Sequence, residues 1–213
     1  MDRIITALKV QKRNPQRVNV FLDGEFAFGL SRIAAAWLEV GQTLSEERIR
    51  TLQEVDEQEV AYQKALHFLS FRPRAEAEIR KNLTKHKFSE DVILEVIDRL
   101  RRNQLVDDSY FVQEWIRNRS EFRPRGRRAL RMELRHKGIP HDMIDEALRD
   151  LDEEKLAYKA AVKQYRKYAQ LEWPDFRVKM TAYLARRGFP YGVAASVTQK
   201  VWSEQHADTE TEK

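Results

Sequence analysis

Between Arg117 and Lys137 stand nine basic residues, Arg117, Arg119, Arg123, Arg125, Arg127, Arg128, Arg131, Arg135 and Lys137, against two acids, Glu121 and Glu133. A guanidinium is a planar fork of donors that fits a phosphate with two parallel hydrogen bonds, so arginines at this density point to recognition of a polyanion. A second stretch, Lys155 to Lys200, carries ten basic residues, among them Lys163, Arg166, Lys167, Arg186 and Arg187, against Glu172 and Asp175 alone. Tyr110 and Phe122 interrupt the middle stretch, a mixture suited to a surface that lies along nucleic acid. Acids are gathered elsewhere: His141 to Glu154 holds seven of them and one Arg, and Glu46 to Glu59 is acidic as well. The charge is segregated rather than mixed. Nothing in the basic segments promises base-specific readout, so DNA affinity is expected to be electrostatic and salt-sensitive. Phe111 and Trp115, at helical spacing, read as core rather than as stacking platforms.

Other chemistry is poorly supplied. The five His residues, His67, His86, His136, His141 and His206, form no H-E-x-x-H pair, and a Gly-Ile-Pro corner separates His136 from His141, so no metal site is expected. Asp107-Asp108 precedes an apolar helical pattern, and one of the two reads as a helix N-cap rather than as half of a catalytic carboxylate pair. Gly24 to Gly29 has the glycine spacing of a phosphate loop, but Leu30-Ser31 follows where Lys-Ser/Thr is required. There is no G-x-S-x-G elbow and no G-x-G-x-x-G fingerprint. No catalytic residue, cofactor or metal is expected, and the chain does not read as an enzyme.

The 213 residues carry 34% charged and 42% hydrophobic side chains, enough for small cores in a highly charged chain of net charge +5. The absence of Cys excludes disulfides and thiol chemistry and fits a reducing compartment. The N-terminus lacks a secretory apolar core, and the longest apolar run, Ile33 to Leu38, is far short of the roughly 18 residues a membrane span needs. A cytoplasmic protein without membrane association is therefore expected.

Two kinds of element must position the basic residues. Ile4, Thr6, Leu8 and Val10, then Val18, Val20 and Leu22, then Phe26, Phe28 and Leu30 alternate with period two, and Asp23-Gly24 supplies the turn of a β-hairpin over Arg17 to Gly29. Asn14-Pro15 turns the chain before it, and a short helix after Ser31, ended by Gly41, is expected to cover the hairpin with Ile33, Trp37 and Leu38. From Ser45 the apolar spacing becomes three and four, and it stays helical to about Trp202.

This helical part repeats. Phe71-Arg72-Pro73-Arg74 recurs as Phe122-Arg123-Pro124-Arg125, and at that offset Ile79 matches Leu130, Leu83 matches Leu134, Ile93 matches Ile144 and Ile97 matches Leu148. A third copy sets Pro174 on Pro124, Met180 on Leu130, Leu184 on Leu134, and Arg187-Gly188-Phe189-Pro190 on Lys137-Gly138-Ile139-Pro140. Each copy reads as three helices. Pro73, Pro124 and Pro174 suit the first turn of the second helix, and Gly138 and Gly188 suit its C-terminal corner, where Lys87 stands in the first copy. The expected fold is mostly α: an elongated tandem array of three three-helix, helix-turn-helix-like repeats with a small N-terminal β-hairpin module. The divisions are 1–44 for the hairpin and short helix, 45–104, 105–154 and 155–203 for the repeats, and 204–213 for a disordered acidic tail.

Four segments carry a resemblance: Arg72-Pro73-Arg74-Ala75-Glu76-Ala77-Glu78-Ile79, Val106-Asp107-Asp108-Ser109-Tyr110-Phe111, the run Gly126 to Ile139, and Leu184-Ala185-Arg186-Arg187-Gly188-Phe189. In order and at the repeat spacing they resemble the motifs of the RecX family, and Arg17 to Leu30 is similar to an N-terminal extension of some members. Ala75 stands where the family usually has Ser, and Gln104 where Gly commonly precedes the Asp pair. The resemblance implies a cytoplasmic regulator in DNA repair, recombination and the SOS response. Such a protein binds RecA recombinase filaments on single-stranded DNA and modulates, usually inhibits, their ATPase, strand-exchange and co-protease activities, without catalysis of its own.

Joined to the charge pattern, it implies a monomer whose partners are the RecA filament and single- and double-stranded DNA. The surface would be Arg72, Arg74, Arg117, Arg119, Arg123, Arg125, Arg127, Arg128, Arg131, Arg135, Lys163, Arg166, Lys167, Arg186 and Arg187. Acidic segments such as Asp142 to Glu154 would meet the recombinase. The competing reading is a freestanding helix-turn-helix DNA-binding protein, which three nonidentical units in one chain disfavour.

Overall fold

The computed structural model describes residues 2–210, with side chains through His206. Strands β1 (Arg3–Gln11), β2 (Asn14–Leu22), β3 (Glu25–Ser31) and β4 (Thr43–Leu44) come first. Helices α1 (Glu46–Leu69), α2 (Glu76–Lys85), α3 (Glu90–Arg102), α4 (Asp108–Phe122), α5 (Arg127–His136), α6 (His141–Leu148), α7 (Glu153–Tyr165), α8 (Trp173–Arg186) and α9 (Tyr191–Glu210) follow. The chain divides into two compact units, Met1–Val106 and Asp107–Lys213.

In the first unit the hairpin forms at Asp23-Gly24, both at positive φ (54° and 91°) as a tight two-residue turn requires. It belongs to a larger antiparallel sheet of order β3-β2-β1-β4 in which β1 pairs with β2, though the buried residue of β1 is Ile5, while Ile4 and Val10 of the expected apolar row are exposed. Ile5, Val20, Leu22, Phe28 and Leu30 make one buried face.

The helix expected after Ser31 is absent. Residues 32–37 are turns and Ile33 and Trp37 lie in solvent, while Leu38 joins the sheet's core as expected, with Ala34 and Ala35. The covering element is the first half of α1, whose Ile49 and Leu52 pack on the sheet, while its second half sends Ala61, Tyr62 and Ala65 into the first three-helix core. One 24-residue helix thus serves two cores. Buried Asp56, midway along it, accepts from Arg17 Nη2 at 2.8 Å and from the Ser31 amide at 2.5 Å, which ties sheet to helix.

The repeat register holds in three dimensions. Ile79, Leu83, Ile93 and Ile97 are buried in the first repeat, Leu130, Leu134, Ile144 and Leu148 in the second, and Met180 and Leu184 in the third. The middle helix of each repeat ends in the same corner. Lys87, Gly138 and Gly188 take left-handed φ values of 65°, 80° and 89°. The amides of Phe88, Ile139 and Phe189 reach back to the carbonyls of Leu83, Leu134 and Leu184 at 3.4, 3.2 and 3.2 Å. This is a Schellman closure, and Lys87 closes it as the glycines do, at the steric cost a Cβ carries there.

The prolines behave differently from expectation. Only Pro174 lies in the first turn of its helix; Pro73 and Pro124 precede the N-caps Ala75 and Gly126. Ala75 has no side-chain acceptor, and Glu78 reaches back to its amide at 3.4 Å. Asp107 is the N-cap of α4 and accepts from the Tyr110 amide at 3.0 Å, as the sequence implied. Helix α9 extends through Glu210, into the segment that the sequence assigned to a disordered tail from 204; residues 211–213 lie outside the described residues.

Candidate nucleic-acid interface

A guanidinium has five donors and no acceptor, so an arginine near a helix end either caps carbonyls, pairs with a carboxylate, or stays in water. The basic residues singled out by sequence divide along this line.

One group points into the protein. Glu133 on α5 accepts from Arg119 Nε at 2.7 Å and from Trp115 Nε1 at 2.8 Å, with Arg125 at 3.3 Å, and Arg119 also lies over the Trp115 ring at 4.4 Å. The Trp115 indole is thereby part of the α4–α5 packing, next to buried Phe111. Arg127 gives its amide to Glu153 at 2.8 Å and its Nη2 to the carbonyls of Arg149 and Leu151 at 3.3 and 3.2 Å. Arg131 pairs with Asp145 on α6 at 2.8 Å, and this bond holds the Asp145 carboxyl below its ordinary range. Lys163 donates to the Glu121 carbonyl at 3.1 Å, at the end of α4, where a cation also meets the negative end of the helix dipole. Arg187 Nη1 donates to the Pro124 carbonyl at 3.1 Å.

In the first unit Arg72 pairs with Glu78 at 2.7 Å, across the start of α2. Arg74 lies over the Phe68 ring at 3.9 Å, and burial, followed by repulsion from Arg72, pushes its pKa down. These residues are committed to the fold.

The other group is free to bind. Arg123, Arg128, Arg135, Arg166, Lys167 and Arg186 are exposed, and among the described residues no carboxylate is paired with them. The Arg117 side chain is 72% exposed and pairs with Glu114, one turn back on the same helix. Arg128 and Arg135 lie seven residues apart on α5, on the face opposite buried Leu130 and Leu134, with exposed Met132 between them. Tyr110 and Phe122 are exposed as well. All of these lie in the second unit. An exposed cation there exchanges water and counterions for a phosphate without breaking an internal bond. Sequence could not separate the two groups, because whether an arginine is engaged depends on partners such as Glu133, Asp145 and the Pro124 carbonyl, 6 to 63 residues away.

Among the described residues no group of three His, Asp or Glu side chains is placed to hold a metal ion, and no helix is long and apolar enough to cross a membrane.

Four regions of the chain match models of known domains. Residues 3–45 match the Regulatory protein RecX N-terminal domain; residues 61–100, 107–148 and 152–198 match the first, second and third three-helix domains of RecX. Regulatory protein RecX of Bacillus subtilis (strain 168) is 32% identical over 98% of this chain and 81% of its own length. The same-named protein of Clostridium beijerinckii is 30% identical over 92% of this chain and 95% of its own. A crystal structure of regulatory protein RecX superposes with a TM-score of 0.69 at 29% identity, covering 92% of this chain and 99% of that one. A crystal structure of RecX from Lactobacillus salivarius shares the fold, with a TM-score of 0.60. With an N-terminal strand module, three three-helix domains in order and relatives matched over nearly its whole length, this chain belongs to the RecX family, a family of regulatory proteins and not of enzymes.

Proposed function

We propose that this protein binds RecA recombinase filaments on single-stranded DNA and lowers their ATPase, strand-exchange and co-protease activities. Family membership supports the recombinase partner. The observation that carries the DNA side of the reading is the division of the basic residues: Arg123, Arg128, Arg135, Arg166, Lys167 and Arg186 are exposed in one unit, and among the described residues no carboxylate is paired with them. A phosphate backbone is the partner for such a set, since the contact is rewarded by counterion release and needs no base-edge donor or acceptor. Acids of the same unit, among them Asp142, Asp150 and Glu154, are exposed and available to a basic protein surface.

The test compares cations from the two groups. Reversing Arg123, Arg128 and Arg135 to Glu is expected to leave the thermal unfolding of the protein unchanged and to abolish binding to RecA-coated single-stranded DNA. Arg119→Ala is expected to do the opposite, destabilising the protein by about 1–3 kcal/mol through the half-buried Glu133 it abandons, with filament binding retained by the folded fraction. Full filament binding by the triple reversal would refute the basic-surface reading. A defined footprint on duplex DNA without recombinase would favour a freestanding DNA-binding protein.

A further inference from the structure

The N-terminal sheet packs one face on α1 and turns the other outward. A bulge at Ile5/Ala7 on β1 and one at Phe26/Phe28 on β3, opposite the consecutive Val20 and Phe21, set the outer rows: Ala7, Phe21 and Phe26 stand abreast, and Lys9, Asn19 and Gly29 form the next row. Phe26 is 59% exposed, although its neighbour Phe28 is buried in the core below. The Phe21 and Phe26 rings meet edge to face with centroids 6.0 Å apart, and Lys9 Nζ lies 4.9 Å from the Phe21 centroid. Gln11 Nε2 donates to Asn19 Oδ1 at 2.7 Å beside them, fixing the amides of that row.

The charge around this face is one-sided. Lys12 and Arg13 form the β1–β2 turn, and Arg32 follows β3 at the same end of the sheet, where its amide bonds the Gln16 carbonyl at 2.9 Å; all three are exposed. The nearby carboxylates are already occupied. Asp56 holds Arg17, and Asp23 holds Arg3 at 2.8 Å, which keeps the Asp23 carboxyl below its ordinary range. Glu25 remains, at the opposite end of the sheet from Lys12, Arg13 and Arg32.

An exposed Phe26 ring braced by the half-buried Phe21 beside a lysine, with cations at one end and ordered amides between, has the parts of a platform for single-stranded nucleic acid. Every base has a π-face to stack, and the cations track the phosphates. We propose that the outer face of the β1–β2–β3 sheet binds single-stranded DNA, with a base stacked on Phe26 and the backbone running over Lys9 towards Lys12, Arg13 and Arg32. This site lies in the first unit and needs no recombinase. Its success or failure is therefore distinct from that of the filament reading.

The test uses the full chain and two labelled probes, a dT15 oligonucleotide and a sugar-phosphate strand of equal length without bases. Phe26→Leu keeps apolar bulk on the strand and removes the π-face; Phe26→Tyr restores it. The wild-type protein is expected to prefer dT15 over the abasic strand. Phe26→Leu should lose about tenfold in dT15 affinity, the size of one stacked base, with abasic binding unchanged, and Phe26→Tyr should recover it. Converting Lys12 and Arg13 to Gln should weaken both probes and lower the salt slope by about 0.7 per cation removed. Equal dT15 binding by wild type and folded Phe26→Leu would overturn the proposal. A Phe26→Leu defect in recombinase regulation with dT15 binding intact would also overturn it and assign the face to a protein partner.

Discussion

The Gly126 amide donates to the Arg187 carbonyl at 3.0 Å, joining the backbone that opens α5 in the second repeat to the backbone that closes α8 in the third. No side chain intervenes. A Cβ on Gly126 would stand 2.5 Å from the Gly188 carbonyl carbon and 2.7 Å from the Phe189 nitrogen, and one on Gly188 would stand 2.5 Å from the Ala129 amide. Arg187, through its bond to the Pro124 carbonyl, clamps the same corner. The second and third repeats are thus seated on each other by main chain.

Gly126→Ala tests this corner. The clash is with backbone, which cannot swing aside as a flexible side chain would. The substitution is expected to cost about 2 kcal/mol or more of stability, measured by chemical denaturation. Unchanged stability would mean that the two repeats separate freely at this point.

Gln104 closes α3 at a φ of 56°, with the Leu105 amide bonded to the Leu100 carbonyl at 2.9 Å. The closure suits glycine, and Gln104 is exposed with nothing to lose by truncation. Gln104→Gly should therefore raise stability by about 0.5–1 kcal/mol, the left-handed cost of a Cβ less the extra chain entropy of glycine. A loss of stability in the same denaturation experiment would contradict this account of the corner.

Repeat number, core positions and the Schellman glycines were legible in the sequence, because burial and positive φ leave local marks: a 3.6-residue apolar period and a Gly at a fixed offset. The sheet was half legible. Its hairpin announced itself through Asp23-Gly24, but the covering role of α1 did not, because Ile49 and Leu52 follow the same spacing as the first repeat's own core residues. Asp107 as a cap was readable for a similar local reason. The basic surface was legible as charge and illegible as geometry: Arg127 and Arg128 are neighbours in the chain, yet one is tied to the α6–α7 connection and the other stands in water. A charge reversal that includes Arg127 and Arg131 would damage the fold as well as the surface.

The Arg131–Asp145 bond carries a pH signature. The hydrogen bond from Arg131 lowers the Asp145 pKa below 3.8, partial desolvation opposes it, and charged His141 adds to the lowering. A carboxyl whose folded pKa is depressed contributes stability that is complete above the unfolded value and is lost as pH falls through the folded one. The contribution is therefore constant at neutral pH and disappears below about pH 4. Carboxyl titration by NMR should place the Asp145 midpoint below 3.8 in the wild type and higher in Arg131→Ala. Coincident midpoints would remove Arg131 as the cause.

The most direct test of the functional account is the single-stranded-DNA-dependent ATPase rate of the cognate RecA recombinase, titrated with this protein at two salt concentrations. The account predicts that the rate falls at well under one molecule per recombinase protomer, that higher salt weakens the effect, and that the Arg123, Arg128 and Arg135 reversal abolishes it. A rate unaffected up to equimolar protein, with ordinary DNA binding retained, would contradict it.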